Sequence, residues 1–449
     1  MSLDMRPPIN RAMRTLDRSF FKKTIPISAA RVFQNNQLSK LRNELSKSGD
    51  ILGIERISSI RPDPEPSKKA SGNKCILLRP DLKHNDNSTW GNTMSQLVNT
   101  EQISLIPYDL QIDYDHWTYR EIMNAILPED ALDGLTAAFQ QVGHVGHMNL
   151  PDEYLPYKQM IATVLQDKNP TITTIINKVD DVGQASVYRT FSYEVLSGPD
   201  DMNVTVKEQD CIFLFNYAKV YWNSRLNTEH ERHVNLFKEG DAICDVMGGI
   251  GPFAIPAGKK KCFVWANDLN PESYAALKDG IARNKVADFV LPFNEDGHKF
   301  IRRATAELYK TDREVVLRKK QSRSKPQPFQ ETRMTQPKTF SHFLMNLPAT
   351  ALTFLPSFVG LYSGANISKG TPLPKIHVYC FNTKSDDNKA EGEKICEEIS
   401  QHLNFSFKPG DGSKEGEVEV IDVRDVAPKK RMFCASFILP EEVAHRVVE

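Results

Sequence analysis

From about residue 233 onward, short apolar runs alternate with stretches whose apolar positions recur every three or four residues. "DAICDVM" (241–247), "CFVWAND" (262–268), "ADFVLPFN" (287–294), "HFLMNL" (342–347) and "IHVYCF" (376–381) read as strands. "NPESYAALKDGIARNKV" (270–286), "EDGHKFIRRATAELYK" (295–310), "PATALTFLPSFV" (348–359) and "NKAEGEKICEEISQHL" (388–403) carry the helical period. "EGEVEVIDVRDV" (415–426) and "RMFCASFIL" (431–439) close the series as strands. Strands alternating with helices predict an α/β, doubly wound, mostly parallel sheet of the Rossmann-like kind.

Upstream the rhythm changes. "LPYKQMIATVLQ" (155–166) has helical spacing, while "TITTIINKV" (171–179) and "CIFLFNYAKVYW" (211–222) look like strands. Earlier still, "CILL" (75–78) and "ISLIPYDL" (103–110) are isolated apolar bursts beside the turn-rich "DPEPSKKASGNK" (63–74). Three domains are expected. Residues 1–110 form a basic arm and a small α/β module, 111–228 a middle α/β domain, and 229–449 the Rossmann-like domain.

Composition narrows this picture only a little. Of 449 residues, 40% are hydrophobic and 25% charged, an ordinary globular balance. Seven cysteines, none in a CxxC pair, argue against a paired-cysteine zinc site and a disulfide framework. No segment approaches the roughly 18 unbroken apolar residues of a membrane span. The 57 basic and 57 acidic side chains cancel, yet their distribution is uneven. Residues 302–338 hold eleven bases against four acids, and their later part, 317–338, reads as a long mobile loop. Residues 1–30 hold six bases against two acids, the pattern of a transit segment or of a solvated arm.

The chemistry gathers at predicted strand ends. In "DVMGGIGPFA" (245–254), glycines permit a tight turn and close approach of backbone to a ligand. Gly249-x-Gly251-x-x-Ala254 also fits the dinucleotide fingerprint, so an NAD(P)-dependent oxidoreductase stays open as an alternative. Asp245, before the turn, suits the cationic methionine part of S-adenosylmethionine, and Pro252 removes an amide that a pyrophosphate would use. Asp268 can hold a ribose diol, Leu269 an adenine edge, and Asp296-Gly297 the adenine amino group. Asn346, followed by Pro348, sets an amide at the mouth of the fourth strand, suited to a planar base edge. The "HERH" pair (230–233) has no evident third ligand, so no metal is expected.

Several longer stretches share one likeness. "VGHMNLPDEYLPYK", "VYRTFSYEVLSG", "VYWNSRLNTEHERHV", "GIGPFAIPAG", "ANDLNPESY", "FLMNLPATAL" and "VRDVAPKKRMFCASFILP" together resemble the archaeal and eukaryotic tRNA (guanine-37-N1)-methyltransferases. The resemblance runs from about 140 to 440 and departs slightly at Met247-Gly248. It implies S-adenosylmethionine as methyl donor and tRNA, through its anticodon stem-loop and body, as partner. It assigns Glu229 as general base, Arg189 as the stabiliser of charge on O6, Asn346 as the group orienting guanine, and His230 as a cofactor contact. The middle and N-terminal domains would hold RNA, the guanosine would flip outward, and the enzyme would act as a monomer. The expected locations are the cytoplasm, mitochondrial matrix and nucleus, and the expected roles are reading-frame maintenance and the first step toward wybutosine-type bases in tRNA-Phe. A non-catalytic RNA-binding scaffold is the remaining alternative. His144 and His147 receive no role.

Overall fold

The computed structural model describes residues 3–132, 139–179, 188, 190–318 and 331–447, with Arg318 described by its backbone alone. The chain divides into two compact units. The first comprises Met1–Phe139, Asn149–Ile175 and Leu196–Gly198, and the second Gln140–Met148, Ile176–Val195 and Pro199–Glu449.

The first unit contains a four-stranded antiparallel sheet in the order Ile60–Pro62, Lys74–Leu77, Lys23–Val32, Ile103–Ile112. Ala30, Val32, Ile76 and Ile103 of this sheet pack with Leu41 and Leu45 of helix Leu38–Lys47 and with Met94 and Leu97 of helix Asn92–Asn99. Lys23–Val32 is an inner strand that the sequence reading did not place. Its signal is the period-two pattern of Ile25, Ile27 and Ala29, masked by flanking bases and by Pro26. Proline is tolerated because Pro26 lies outside Ala29–Arg31, the stretch paired to Lys74–Leu77. Phe21 is buried and its carbonyl accepts from the Trp117 indole at 3.2 Å. Arg11 donates to the Asn124 and Leu127 carbonyls, so the early basic residues are partly built in.

The second unit is organised by eight strands: β1 Ala242–Asp245, β2 Phe263–Asn267, β3 Val290–Phe293, β4 His342–Met345, β5 Lys375–Thr383, β6 Lys408–Pro409, β7 Glu417–Ala427 and β8 Lys430–Ile438. Their spatial order is β3-β2-β1-β4-β5-β8-β7-β6. The run from β3 to β5 is parallel, and β8 is antiparallel to both β5 and β7. All four residues of β1 are buried, as a strand covered on both faces requires. Ala242 and Cys244 join one core with Phe300, Ile301, Ala304 and Leu308 of the helix Gly297–Lys310. Ile243 points the other way, into a core with Ile255 and with Leu277 and Ile281 of the helix Pro271–Arg283. The strand order reverses between β1 and β4, which opens a crevice beyond their carboxyl ends.

Three local differences from the sequence reading have simple causes. The strand expected over 211–222 stops at Asn216, where the Asn216 side chain accepts from the Ala218 amide in a turn. Ala351–Phe358 winds as a 3₁₀ helix with Pro356 inside it, a residue without the amide an α-helix needs there. Glu314–Arg318 and Glu331–Thr335 pair as antiparallel strands, so part of the stretch expected as a long loop over 317–338 is sheet; its residues 319–330 lie outside the described residues.

Candidate active site

The turn after β1 is shaped by glycine. Gly249 and Gly251 have φ of +56° and +94°, a region that disfavours other residues. A Cβ on Gly251 would lie 2.7 Å from Leu277 Cδ1, and one on Gly248 would lie 2.9 Å from Asp245 Oδ2. The Gly248 amide donates to the Asn267 carbonyl at 2.7 Å, and the Gly249 amide donates to Asp268 Oδ2 at 2.8 Å. Asn267 ties the first three strand ends together: its amide nitrogen donates to the Val246 and Glu295 carbonyls, and its oxygen accepts from the Glu295 amide.

Against this turn lies a cavity of about 140 Å³ whose walls include Gly249, Asp268, Leu269, Asp296, Gly297 and Asn346. Six of the nine residues expected to hold the cofactor or the base edge therefore face one space. Asp268 accepts from the Gly249 and Asn270 amides, and burial pushes its carboxyl above the usual range. Asp296 caps the helix Gly297–Lys310 by accepting from the His298 and Lys299 amides. Gly297 keeps space for Phe354, since a Cβ there would approach that ring to 2.9 Å. His230 lines an adjoining cavity of about 60 Å³ that shares Gly249 and Asn346 with the first. Its Nδ1 lies 2.6 Å from Glu208 Oε1, which fixes the ring.

Asp245 and Gly251 line neither space. Asp245 is fully buried at the end of β1, and neither carboxylate oxygen has a hydrogen-bond partner. Burial, with the nearby Asp268 charge second, pushes its pKa up to about 8. An unpartnered buried carboxylate costs free energy that a cationic or proton-donating ligand can offset.

Asn346 also lines a third cavity, of about 280 Å³, together with Tyr221, Leu226, Pro348, Phe381 and Met432. Glu229 is not among the residues lining any of the three. Its carboxylate receives two hydrogen bonds from Arg232, at 2.7 and 2.6 Å, and one from the Tyr379 hydroxyl at 2.7 Å. Burial alone would raise its pKa, but Arg232, His233 and Tyr379 outweigh burial and hold it at about 2. Leu226 and Met432 pack in one cluster with Tyr379, so Glu229 lies one packed layer behind the wall of the third cavity. Arg189 lies outside the described residues, while its neighbour Tyr188 borders the first cavity.

The fold also assembles what sequence could not. Glu229, His233 and Cys434 bring three potential metal-ligand atoms within 4.8 Å of one another. Arg232 already supplies that carboxylate's positive charge and donates to His233 Nδ1 at 3.0 Å, which leaves the cluster neutral without an ion. Tyr221, Met247 and Phe354, none given a role beforehand, line the first cavity. His147 stacks on Phe191 and meets the Tyr217 hydroxyl at 2.8 Å, and burial holds its pKa down at about 4. His144 Nε2 meets the Asp201 carbonyl at 3.0 Å. Both histidines have structural partners.

The strand order, the glycine turn and the acidic strand ends define a class I, Rossmann-like methyltransferase domain. Residues 204–317 match the TRM5/TYW2 methyltransferase domain, and 119–201 match the TYW2 N-terminal domain. A tRNA (guanine(37)-N(1))-methyltransferase of Aspergillus fumigatus is 49% identical over 99% of this chain and 96% of its own length. One from Fusarium vanettenii is 50% identical over 98% and 96%, and one from Candida albicans 42% over 98% of each. The chain belongs to the tRNA (guanine(37)-N(1))-methyltransferase family. Among solved structures, Trm5b of Pyrococcus abyssi shares the fold with TM-score 0.56 at 21% identity, over 92% of this chain and 99% of that one. The aTrm5–tRNALeu complex does so with TM-score 0.59 at 19% identity, over 92% and 100%.

Proposed function

We propose that this chain transfers a methyl group from S-adenosylmethionine to N1 of guanosine 37 in tRNA. The observation that carries the proposal is the position of Asn346, on a wall common to the acidic cavity beside the glycine turn and the cavity lined by Tyr221, Pro348 and Phe381. A donor on one side and a flipped base on the other would meet at this amide. When bound, S-adenosylmethionine supplies an activated, positively charged methyl group.

The residues divide the remaining work. Asp245 offers a buried, unpartnered carboxyl that a cationic donor would draw into its ionised form, and Asp268 and Asp296 offer acceptors for its ribose and adenine. The same carboxylates disfavour the pyrophosphate of a dinucleotide, and the Gly249 amide that would cradle it is already committed to Asp268. This speaks against the oxidoreductase reading. Asn346 orients the guanine edge, and Arg189 is assigned to the O6 charge by resemblance alone. Glu229 is proposed as the base that takes the N1 proton. Arg232 holds it ionised, the form a base must have before reaction. A carboxylate held at about 2 is nevertheless a weak proton acceptor, so the mechanism requires Glu229 to part from Arg232 as guanosine arrives. The roles in reading-frame maintenance and wybutosine-type modification, and the cytoplasmic, mitochondrial and nuclear locations, are carried over by resemblance.

The test is methylation of an unmodified tRNA transcript with labelled S-adenosylmethionine, followed by digestion and mass spectrometry. One N1-methylguanosine at position 37 is expected. Methylation elsewhere removes the assignment of position. Binding of both ligands without transfer favours a scaffold, and tight NADH binding without S-adenosylmethionine favours the oxidoreductase.

A further inference from the structure

The third cavity contains two side chains that the proposed chemistry does not use. Arg225 and Arg424 both line it, and none of its lining residues is acidic. Arg225 is exposed, and among the described residues its guanidinium has no hydrogen-bond or ion-pair partner. Arg424 is half-buried; its Nε donates to the Asp425 carbonyl at 3.2 Å, while its Nη1 is buried with no hydrogen-bond partner. Burial first, and the Arg225 charge second, pull the Arg424 pKa down. Two like charges thus share one cavity with no acidic side chain among its described lining residues.

The surrounding strands explain why. The β7–β8 register shifts between Asp422 and Arg424 and again between Asp425 and Ala427, and such bulges re-aim side chains. Asp422 and Asp425, the acids nearest Arg424 in sequence, are both paired to Arg431, and Asp425 also accepts from Lys384. Both acids are thus engaged by other cations, and among the described residues Arg424 has no carboxylate within ion-pair distance, although the Asp425 charge still acts on it. A bare buried guanidinium N–H is costly unless a partner arrives, and a forked donor fits a phosphate well.

We propose that Arg225 and Arg424 form a subsite for an RNA phosphodiester next to the nucleotide held at Asn346. This inference rests on the methyltransferase reading above and names the part of the substrate that the third cavity holds. A phosphate there would neutralise the pair and fix the strand while the base turns toward Asn346.

The test uses the full chain with Arg225→Gln, Arg424→Gln and Arg424→Lys. Equilibrium binding of tRNA is measured across a salt series, beside S-adenosylmethionine binding, methyl transfer and thermal melts. Each glutamine variant is expected to weaken tRNA binding about tenfold and to flatten the salt dependence by about one phosphate contact. S-adenosylmethionine affinity should stay within about twofold, and Arg424→Lys should recover most of the salt slope. A loss of S-adenosylmethionine affinity would overturn the subsite in favour of a donor-carboxylate contact. A lower kcat with unchanged tRNA affinity and salt slope would overturn it in favour of the O6 charge. Wild-type transfer to guanosine 37 with unaltered tRNA binding in the variants overturns the subsite alone. A wild-type chain that transfers no methyl group to tRNA overturns the proposed function and the subsite with it.

Discussion

Asp245 and Glu229 are buried carboxylates of the same domain with opposite surroundings. Asp245 has no hydrogen-bond partner on either oxygen and a pKa pushed up to about 8. Glu229 is held by a guanidinium and a phenol, with a pKa of about 2. Burial pushes both pKa values upward, so the difference comes from the partners. An unsatisfied buried carboxylate is a cost that a partner from outside the chain would relieve. A satisfied one is part of the protein until something displaces its partners.

Glu229→Gln is the sharpest way to break this contrast. As the base, its loss should lower single-turnover methyl transfer by roughly 10²- to 10⁴-fold, with S-adenosylmethionine affinity nearly unchanged. A rate within about tenfold of wild type, alongside a lowered melting temperature, would make Glu229 an ion-pair residue only. Arg232→Met probes the same pair from the other side. It leaves a buried carboxylate without its guanidinium, at a cost of about 3 kcal/mol in stability, the low end for a broken buried pair because Arg232 is partly exposed.

Asp245→Asn comes next in size and should weaken S-adenosylmethionine binding about tenfold or more in equilibrium titration. The pH dependence carries a definite sign. The folded Asp245 pKa is raised, so between about pH 4 and 8 the folded chain holds a proton that the unfolded chain has lost. Stability from this group therefore falls as pH rises through that window. Affinity for a cationic ligand rises over its upper part, by at most about tenfold per pH unit. Glu229 behaves oppositely: its depressed pKa contributes stability above about pH 4.5, which is lost as pH falls toward 2. Melting curves of Asp245→Asn against wild type from pH 5 to 9 should diverge with increasing pH, in favour of the variant. Parallel curves would mean that Asp245 ionises normally.

Much of this domain was legible from local pattern. The apolar runs at 242–245, 263–267 and 342–345 are too short and too buried for another reading beside the helices between them. Strand ends announce themselves in an α/β chain, so Asp268, Asp296 and Asn346 could be placed at one crevice before any coordinates. Partners distant in sequence could not. Tyr379 and Cys434 reach Glu229 and His233 only because β5 and β8 pair with a register no local signal encodes. The unpartnered state of Asp245 and the bare Nη1 of Arg424 depend on what the rest of the fold leaves out. Lys23–Val32 was hidden for a different reason: its alternation is clear, but charge and proline dominate the segment around it.

The smallest expected effect concerns charge on a segment outside the described residues. Residues 319–330 carry Lys319, Lys320, Arg323 and Lys325 and no acid. If these side chains meet the phosphate backbone of tRNA, replacing all four with glutamine at constant length removes up to four counterion-releasing contacts. The slope of log affinity against log salt should then fall by about 3 at most, while the single-turnover rate at saturating tRNA stays unchanged. The charge-neutral variant leaves Asp245, Glu229 and the glycine turn untouched, so S-adenosylmethionine affinity serves as the internal control. A salt slope equal to wild type would assign these bases to solvent and leave tRNA affinity to contacts elsewhere on the chain, of which Arg225 and Arg424 are the first to examine.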